Sequence, residues 1–208
     1  MYYFIFSLIC SFIYIIYIEL GIYDLNTFNI FNLFTKRNAI ATLHKNVHYQ
    51  MIDLLHKHIN TRDVYHLLEI GAGNGNSSYN FITALQYLQN YTFYYTINEY
   101  YKSYLHKLTT NLDKVKHHKH IIINKNIFIM PFESIHLYNS SRKYDIILLT
   151  AISSINDTNI HHLKKISHDK TIIITICPYI FQYILVKYFK IIEVNNLSIL
   201  LGLYCLKI

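Results

Sequence analysis

The residues best suited to chemistry lie in a glycine-rich stretch between an apolar run and an amphipathic one. Residues 64–78 read V-Y-H-L-L-E-I-G-A-G-N-G-N-S-S, with glycines at alternate positions 71, 73 and 75. Glycine lets the backbone turn sharply and approach a ligand that any Cβ atom would push away. If a helix follows, its unpaired N–H groups favour an anionic or carboxylate-bearing ligand. The stretch therefore predicts a strand, a tight ligand-binding turn and a helix.

The spacing of these glycines separates several kinds of nucleotide-binding turn. The NAD fingerprint is G-x-G-x-x-G, but counting from Gly71 puts Asn76 at the third glycine, and the Gly-Lys-Ser/Thr of a phosphate loop is absent. The segment E-I-G-A-G-N-G instead resembles motif I (D/E-x-G-x-G-x-G) of the class I S-adenosylmethionine (SAM) methyltransferases. The resemblance implies that Glu69 steadies the turn and the methionine amino end of SAM. It also implies these cofactor-binding residues in the turn: Gly71, Ala72, Gly73, Gly75 and Asn76. A glycine-rich loop without a ligand is the alternative.

An acid stands where a second strand should end. The run 91–98 is rich in aromatic and β-branched residues, which favour a strand, and Glu99 follows it, 24 positions after Gly75. That separation fits one β-α-β step, and both SAM and NAD sites use an acid at this point to accept hydrogen bonds from ribose hydroxyls. We therefore expect Glu99 to bind the ribose and Tyr100 to pack on the adenine or ribose. A surface acid is the alternative.

Two later segments resemble the same family. N-I-F-I-M-P-F at 126–132 resembles the D-A-x-x-L-P-F segment of small-molecule and quinone-type methyltransferases, with Asn126 in place of the acid. The resemblance implies that Asn126 and Ile127 bind the adenine, because an amide can both accept and donate hydrogen bonds. K-Y-D-I-I-L-L-T at 143–150 matches the family's F-D-x-I/V pattern in a fourth strand. Ligands sit at the carboxyl ends of parallel strands, so this strand end should face the methyl donor. The resemblance implies that Thr150 lies at the mouth of the acceptor pocket. The [D/N]-P-P-Y motif of nucleic-acid amino-methyltransferases is absent there, which disfavours that chemistry.

No metal site is expected from the histidines and cysteines. A helix, or a pair of helices, is predicted over 36–59 and carries four histidines: His44, His48, His56 and His58. No glutamate completes an H-E-x-x-H zinc motif, so we interpret them as solvated or half-buried. The basic, histidine-rich stretch 114–120 is interpreted as the rim of a loop, with nucleic-acid contact as the alternative. The three cysteines lack C-x-x-C spacing and indicate a reducing compartment: Cys10, Cys177 and Cys205. Cys177, after the fifth predicted strand, is interpreted as a buried structural thiol.

Composition and the N-terminus suggest how the chain is placed in the cell. With 208 residues, 52% of them hydrophobic, the chain can form one domain of about 150 residues plus an extension, and disorder is disfavoured. Met1–Ile18 contains no charged side chain and approaches a membrane span of about 20 residues. The basic Lys36 and Arg37 follow it, which would leave the rest of the chain in the cytoplasm. We expect a membrane anchor; a buried or partner-binding helix is the alternative.

The remaining pattern predicts the elements that must position these residues. Further strands are predicted at 120–124 and 170–176, and two apolar runs around Asn195-Asn196 predict a terminal hairpin. The resemblance implies a seven-stranded, mostly parallel α/β sheet with helices on both faces, a C-terminal antiparallel hairpin and preceding N-terminal helices. The expected organisation is a hydrophobic segment at 1–25, a helical extension at 26–62 and a SAM-binding domain at 63–208.

The sequence thus predicts a SAM-dependent methyltransferase. Methyl transfer is an in-line displacement for which proximity and orientation can suffice, so no catalytic residue is predicted. The acceptor stays open among a small molecule, a lipid-like quinone, RNA and protein. One alternative is a non-catalytic methyltransferase-like scaffold, which the unusual Asn126 favours. An NAD-dependent oxidoreductase is disfavoured by the glycine spacing and the terminal hairpin.

Overall fold

The structure is a computed structural model that describes most of the chain from residue 45 onward. The described ranges are 45–59, 63–115, 119–123, 128–129, 131, 134–135, 142–149, 157–179, 182–197 and 201–208. Met1–Ile18 and three of the predicted ligand residues lie outside them: Asn126, Ile127 and Thr150. None of the helices within the described ranges is long and apolar enough to cross a membrane.

Strands and helices alternate along the chain. The strands are β1 Val64–Ile70, β2 Thr92–Glu99, β3 Ile121–Ile123, β4 Phe128–Ile129, β5 Tyr144–Leu149, β6 Ser167–Pro178, β7 Lys190–Asn196 and β8 Leu201–Lys207. The helices are α1 Lys45–His58, α2 Asn76–Leu85, α3 Leu105–Asp113, α4 Asp157–Ile166 and α5 Gln182–Tyr188. A short 3₁₀ turn, Lys102–Tyr104, leads into α3.

The strands form one mixed sheet in the order β3-β2-β1-β5-β6-β8-β7. Both β3 and β4 pair with β2 in parallel, β3 with Phe93–Tyr95 and β4 with Asn98–Glu99, so together they act as one interrupted edge strand. Counted in this way, the sheet has seven strands. β8 runs antiparallel to both β6 and β7, which confirms the predicted terminal hairpin and the mostly parallel sheet.

Side chains alternate between two hydrophobic layers, one on each face of the sheet. Leu67 of β1 belongs to a core packed by α1, α2 and α3, whereas its neighbour Leu68 belongs to a core packed by α4 and α5. Strands buried on both faces need apolar residues at nearly every position, which explains the continuous runs in β1, β5 and β6. The predicted helices on both faces are therefore confirmed.

One strand departs from the sequence expectation. β6 was expected to begin at Lys170 but begins at Ser167, directly after α4, with a register shift opposite Tyr144–Ile146. The Thr171 hydroxyl donates to the Tyr144 carbonyl at 2.7 Å and accepts the His168 N–H at 2.8 Å, so a side chain satisfies backbone groups within the irregular segment. At the other end of β6, Cys177 is fully buried, and burial raises the pKa of its thiol to about 12. The interpretation of Cys177 as a buried structural thiol is confirmed.

Candidate cofactor site

The glycine turn connects β1 to α2 at the carboxyl edge of the sheet. All three of its glycines have positive φ angles: Gly71 at 81°, Gly73 at 58° and Gly75 at 82°. Other residues rarely adopt this region, so the alternating glycines are required by the path of the backbone. The N–H groups of Gly71 and Ala72 donate to the Asn98 carbonyl at 3.0 and 3.2 Å. The turn is thereby bonded to the end of β2, and the predicted strand, turn and helix are confirmed.

Glu99 lies at the carboxyl end of β2 and faces the turn. The residue is only 4% exposed, which excludes the surface-acid alternative. Oε2 accepts the backbone N–H of Gly73 at 2.6 Å, and Oε1 accepts that of Tyr101 at 2.8 Å. Each carboxylate oxygen has a second acceptor site, so the group can still receive hydrogen bonds from a bound ligand. Its predicted contact with ribose stays a prediction.

Glu69 lies in the next-to-last position of β1 and is buried. Its Oε2 accepts the phenol O–H of Tyr95 at 2.8 Å. Burial raises the pKa of the Glu69 carboxyl and the charge on Glu99 raises it further, whereas the Ser78 and Tyr95 hydroxyls oppose that rise. The sequence analysis missed Tyr95, although a signal existed. Glu69 pairs with Ile97 across the strands, so Tyr95, two residues earlier, is its diagonal neighbour on the same sheet face.

Helix α3 packs directly on the last part of the turn. A Cβ atom on Gly75 would lie 2.7 Å from Leu108 Cδ1 and 3.1 Å from Leu108 Cα. Asn111 Nδ2 donates to the Asn74 carbonyl at 2.9 Å and to Asn76 Oδ1 at 2.8 Å. Gly75 and Asn76, which were predicted to bind the cofactor, therefore also form the docking surface for α3. No local sequence pattern marked Leu108 or Asn111 as part of the site.

Helix α1 contacts the first turn of α2 through the side chain of His48. This side chain is fully buried, and its Nε2 lies 3.0 Å from Ser77 Oγ. The interpretation of His48 as solvated or half-buried is therefore wrong. The helical spacing places His48 beside the apolar Val47, Met51 and Ile52, which are themselves buried, and the turn supplies a hydroxyl partner for the ring.

Three tyrosines that contact one another in sequence follow Glu99. Tyr100 is 57% exposed and makes an edge-on contact with Tyr101 at 4.8 Å between ring centroids, and Tyr101 in turn contacts Tyr104 at 6.1 Å. Burial raises the pKa of the Tyr104 phenol, and the charge on Glu99 adds to the shift. Tyr100 is accessible to a ligand, but its packing on adenine stays a prediction.

Described residues of β4 and β5 also lie at this edge of the sheet. Ile129 of β4 pairs with Glu99, and Leu149 at the end of β5 pairs with Ile70. Asn126, Ile127 and Thr150 themselves lie outside the described residues, and their contacts with a ligand stay predictions. Across the described part of the chain, no three or more His, Cys, Asp and Glu side chains are grouped so as to hold a metal ion.

Comparison with known proteins identifies the fold. No protein-family model and no curated protein matches the chain in sequence. A Listeria monocytogenes protein assigned to the class I SAM-dependent methyltransferases matches with a TM-score of 0.59 at 8% identity, over 80% of this chain and 60% of that protein. The CurJ carbon methyltransferase gives 0.59 at 12% identity, over 92% and 60% of the two chains. A chain of the fibrillarin/Nop5p complex gives 0.51 at 15% identity, over 77% and 82%.

These likenesses define the architecture. The chain has the fold of the class I SAM-dependent methyltransferases, with the strand order and terminal hairpin described above. It spans 60% of the length of the Listeria protein and of the CurJ enzyme. At these sequence identities the likeness establishes the fold alone.

Proposed function

We propose that this chain is a SAM-dependent methyltransferase whose cofactor lies across the carboxyl ends of β1 and β2. The observation that carries the proposal is the hydrogen bond between Glu99 Oε2 and the Gly73 N–H. It brings a buried acid against a turn of three positive-φ glycines. An acid in this position suits a ribose, and a close backbone approach suits the rest of a nucleoside ligand.

The acidic side chains at this edge of the sheet suit the positive charge of SAM. SAM carries a sulfonium and an ammonium group, and it supplies the activated methyl group when bound. Glu69 and Glu99 are buried acidic residues at the ends of neighbouring strands, so the cationic groups of SAM would lie close to acidic side chains. In this proposal Glu99 binds the ribose, Tyr100 the adenine face, and the turn N–H groups the carboxylate end. Asn126 and Ile127 bind the adenine edge, and Thr150 lies at the acceptor pocket.

The chemistry asked of the protein is mainly positioning. An in-line displacement needs the acceptor held close to the methyl group and aligned with the breaking bond. The rigid supports around the turn serve that purpose, because three separate elements hold it: Glu99 of β2, Asn111 of α3 and His48 of α1. The acceptor is a small molecule, a lipid-like compound, RNA or protein. A membrane anchor at Met1–Ile18 would favour a lipid-like acceptor.

A non-catalytic methyltransferase-like scaffold is the second candidate. Asn126 in place of the family's acid favours it, because the adenine contact would then be weaker. The NAD-dependent oxidoreductase is disfavoured by the terminal hairpin, since β8 is inserted antiparallel between β6 and β7. The scaffold and the enzyme share one fold and differ in whether the site binds SAM and transfers its methyl group.

Calorimetric titration of the full chain with SAM, S-adenosylhomocysteine and NAD tests the proposal. We expect SAM and S-adenosylhomocysteine to bind and NAD not to bind. Incubation with methyl-labelled SAM and fractionated lipid, RNA, protein and small-molecule pools then identifies the labelled acceptor class. A folded protein that binds neither SAM nor S-adenosylhomocysteine would contradict the proposal. SAM binding without label transfer to any pool would favour the scaffold.

A further inference from the structure

Helix α3 contacts the glycine turn through two residues that the proposed chemistry does not use. Leu108 is fully buried and occupies the space beside Gly75 that a side chain on that glycine would need. Three residues later, Asn111 donates both hydrogen bonds described above to the turn, one to Asn74 and one to Asn76. Residues three apart lie on one face of a helix. The face formed by Leu108 and Asn111 therefore covers the segment 74–76.

The Asn111 carboxamide is itself held in a fixed orientation. Its Oδ1 accepts the Lys114 ammonium at 2.7 Å, while its NH₂ group, with two hydrogens, serves the two turn acceptors. Asn74 is only 5% exposed, and its side chain accepts the Asn76 N–H at 3.1 Å. Removing the Asn111 carboxamide would leave the Asn74 carbonyl without this hydrogen-bond donor. An unsatisfied carbonyl in a buried position lowers the stability of the turn.

These contacts bond the turn to both β2 and α3. Glu99 bonds the Gly73 N–H with one oxygen and the Tyr101 N–H with the other. From Tyr101 the chain runs through the 3₁₀ turn into α3, and Asn111 of α3 returns to Asn74. The turn is thus held on one side by the acid that ends β2 and on the other by the helix that follows that acid.

We propose that Asn111 is a positioning residue for the cofactor site. By holding residues 74–76 against α3, it fixes the backbone conformation in which the turn can receive SAM, and SAM affinity therefore depends on the Asn111 carboxamide. The identity of the ligand rests on the proposed function; the control of turn geometry does not.

The test compares Asn111→Ala with Leu112→Ala in the full chain. Leu112, the next residue of α3, packs against the hydrophobic core and provides a control that lowers stability while keeping the Asn111 carboxamide. After allowance for the folded fraction, we expect Asn111→Ala to bind SAM about tenfold more weakly, since two hydrogen bonds are lost. Leu112→Ala should bind SAM as the wild type does. The double variant Asn111→Ala/Asn76→Ala should lose less affinity than the product of the two single losses, because the residues share a hydrogen bond.

A second measurement does not need a ligand. The Gly75 N–H donates to the Ala72 carbonyl at 3.1 Å and the Asn76 N–H to Asn74, so hydrogen exchange at these amides reports on the turn. We expect exchange there to accelerate about tenfold in Asn111→Ala and to stay at the wild-type rate in Leu112→Ala. If the wild type fails to bind SAM but exchange accelerates, the proposed function has failed and the positioning role stands. Wild-type exchange in the turn together with wild-type SAM affinity would overturn the positioning role.

Discussion

Glu99 and Gly73, 26 residues apart in sequence, are joined by a 2.6 Å hydrogen bond from the glycine's backbone N–H to the carboxylate. The same carboxylate also accepts the Tyr101 N–H. The residue expected to recognise ribose therefore also fixes the turn that would receive the rest of the ligand. Substitutions at Glu99 are therefore expected to change both the stability of the fold and the affinity for SAM.

Replacing Glu99 by alanine should lower both stability and SAM affinity. The buried N–H of Gly73 and the partly buried N–H of Tyr101 lose their acceptor, and the buried donor left unsatisfied should cost about 1–3 kcal/mol of unfolding free energy. Losing a charged acceptor for ribose should cost SAM binding roughly 1–3 kcal/mol as well. Urea unfolding measures the first effect and calorimetric titration of the folded fraction measures the second.

Glu99→Gln is the matched control, because it keeps the size of the side chain and one carbonyl oxygen. It should lose less stability than Glu99→Ala while still binding SAM more weakly than the wild type. Full SAM affinity in both variants, measured on folded protein, would show that the ribose contact has been assigned to the wrong residue.

The parts of the site that could be predicted from sequence are those with strong local signals. Alternating glycines after an apolar run indicated the turn, and the β-α-β spacing placed Glu99 at the end of β2. The supporting contacts could not be predicted, because each joins residues distant in sequence: Asn111 to Asn74 across 37 positions, and His48 to Ser77 across 29. Which helix face meets which loop depends on how α1 and α3 pack on the sheet, and periodicity alone does not determine that.

Gly75→Ala should destabilise the protein even without a bound cofactor, because the new side chain would collide with helix α3. The new Cβ would lie 2.7 Å from Leu108 Cδ1, and the φ angle of 82° is strained for any side chain. We expect a loss of about 1–3 kcal/mol in unfolding free energy. Thermal and urea unfolding in the absence of any ligand measure it.

Combining Gly75→Ala with Leu108→Ala separates the two causes. The double variant relieves the contact with Cδ1 but keeps the backbone strain and the 3.1 Å approach to Leu108 Cα. It should therefore lose less than the sum of the two single losses, giving a favourable coupling energy. Strictly additive losses would mean that the contact with Leu108 Cδ1 does not contribute to the destabilisation.

Glu69 should make stability depend on pH. The pKa of Glu69 is raised above the ordinary value of 4.5, mainly by burial. Between pH 4.5 and the folded-state pKa, the folded protein therefore keeps a proton that the unfolded chain has already released. The contribution to stability is thus fully present below pH 4.5 and is lost as the pH rises toward the folded-state pKa. Glu69→Gln should remove this loss, whereas Tyr95→Phe should enlarge it, because the phenol at 2.8 Å favours the carboxylate.

Urea unfolding at pH 4.5 and at pH 7.5 measures this effect, and the carboxyl groups that do not interact with Glu69 cancel in the comparison of variants. Relative to the wild type, Glu69→Gln should be more stable at pH 7.5 than at pH 4.5. Tyr95→Phe should lose about 1–3 kcal/mol at pH 7.5, as expected for a hydrogen bond to a charged group. Parallel pH curves for the wild type and Glu69→Gln would show that Glu69 does not titrate differently in the folded state.

The last prediction concerns Met1–Ile18, which lies outside the described residues. Eighteen uncharged, mainly apolar residues cannot stay solvated without burying their surface somewhere. If they form an anchor, the full chain should sediment with membranes and resist carbonate extraction. A variant lacking residues 1–25 should leave the membrane fraction and still bind SAM, because every proposed ligand contact lies beyond Val64. A truncated protein that aggregates or loses SAM affinity would instead place this segment in the folded core, and the anchor would be excluded.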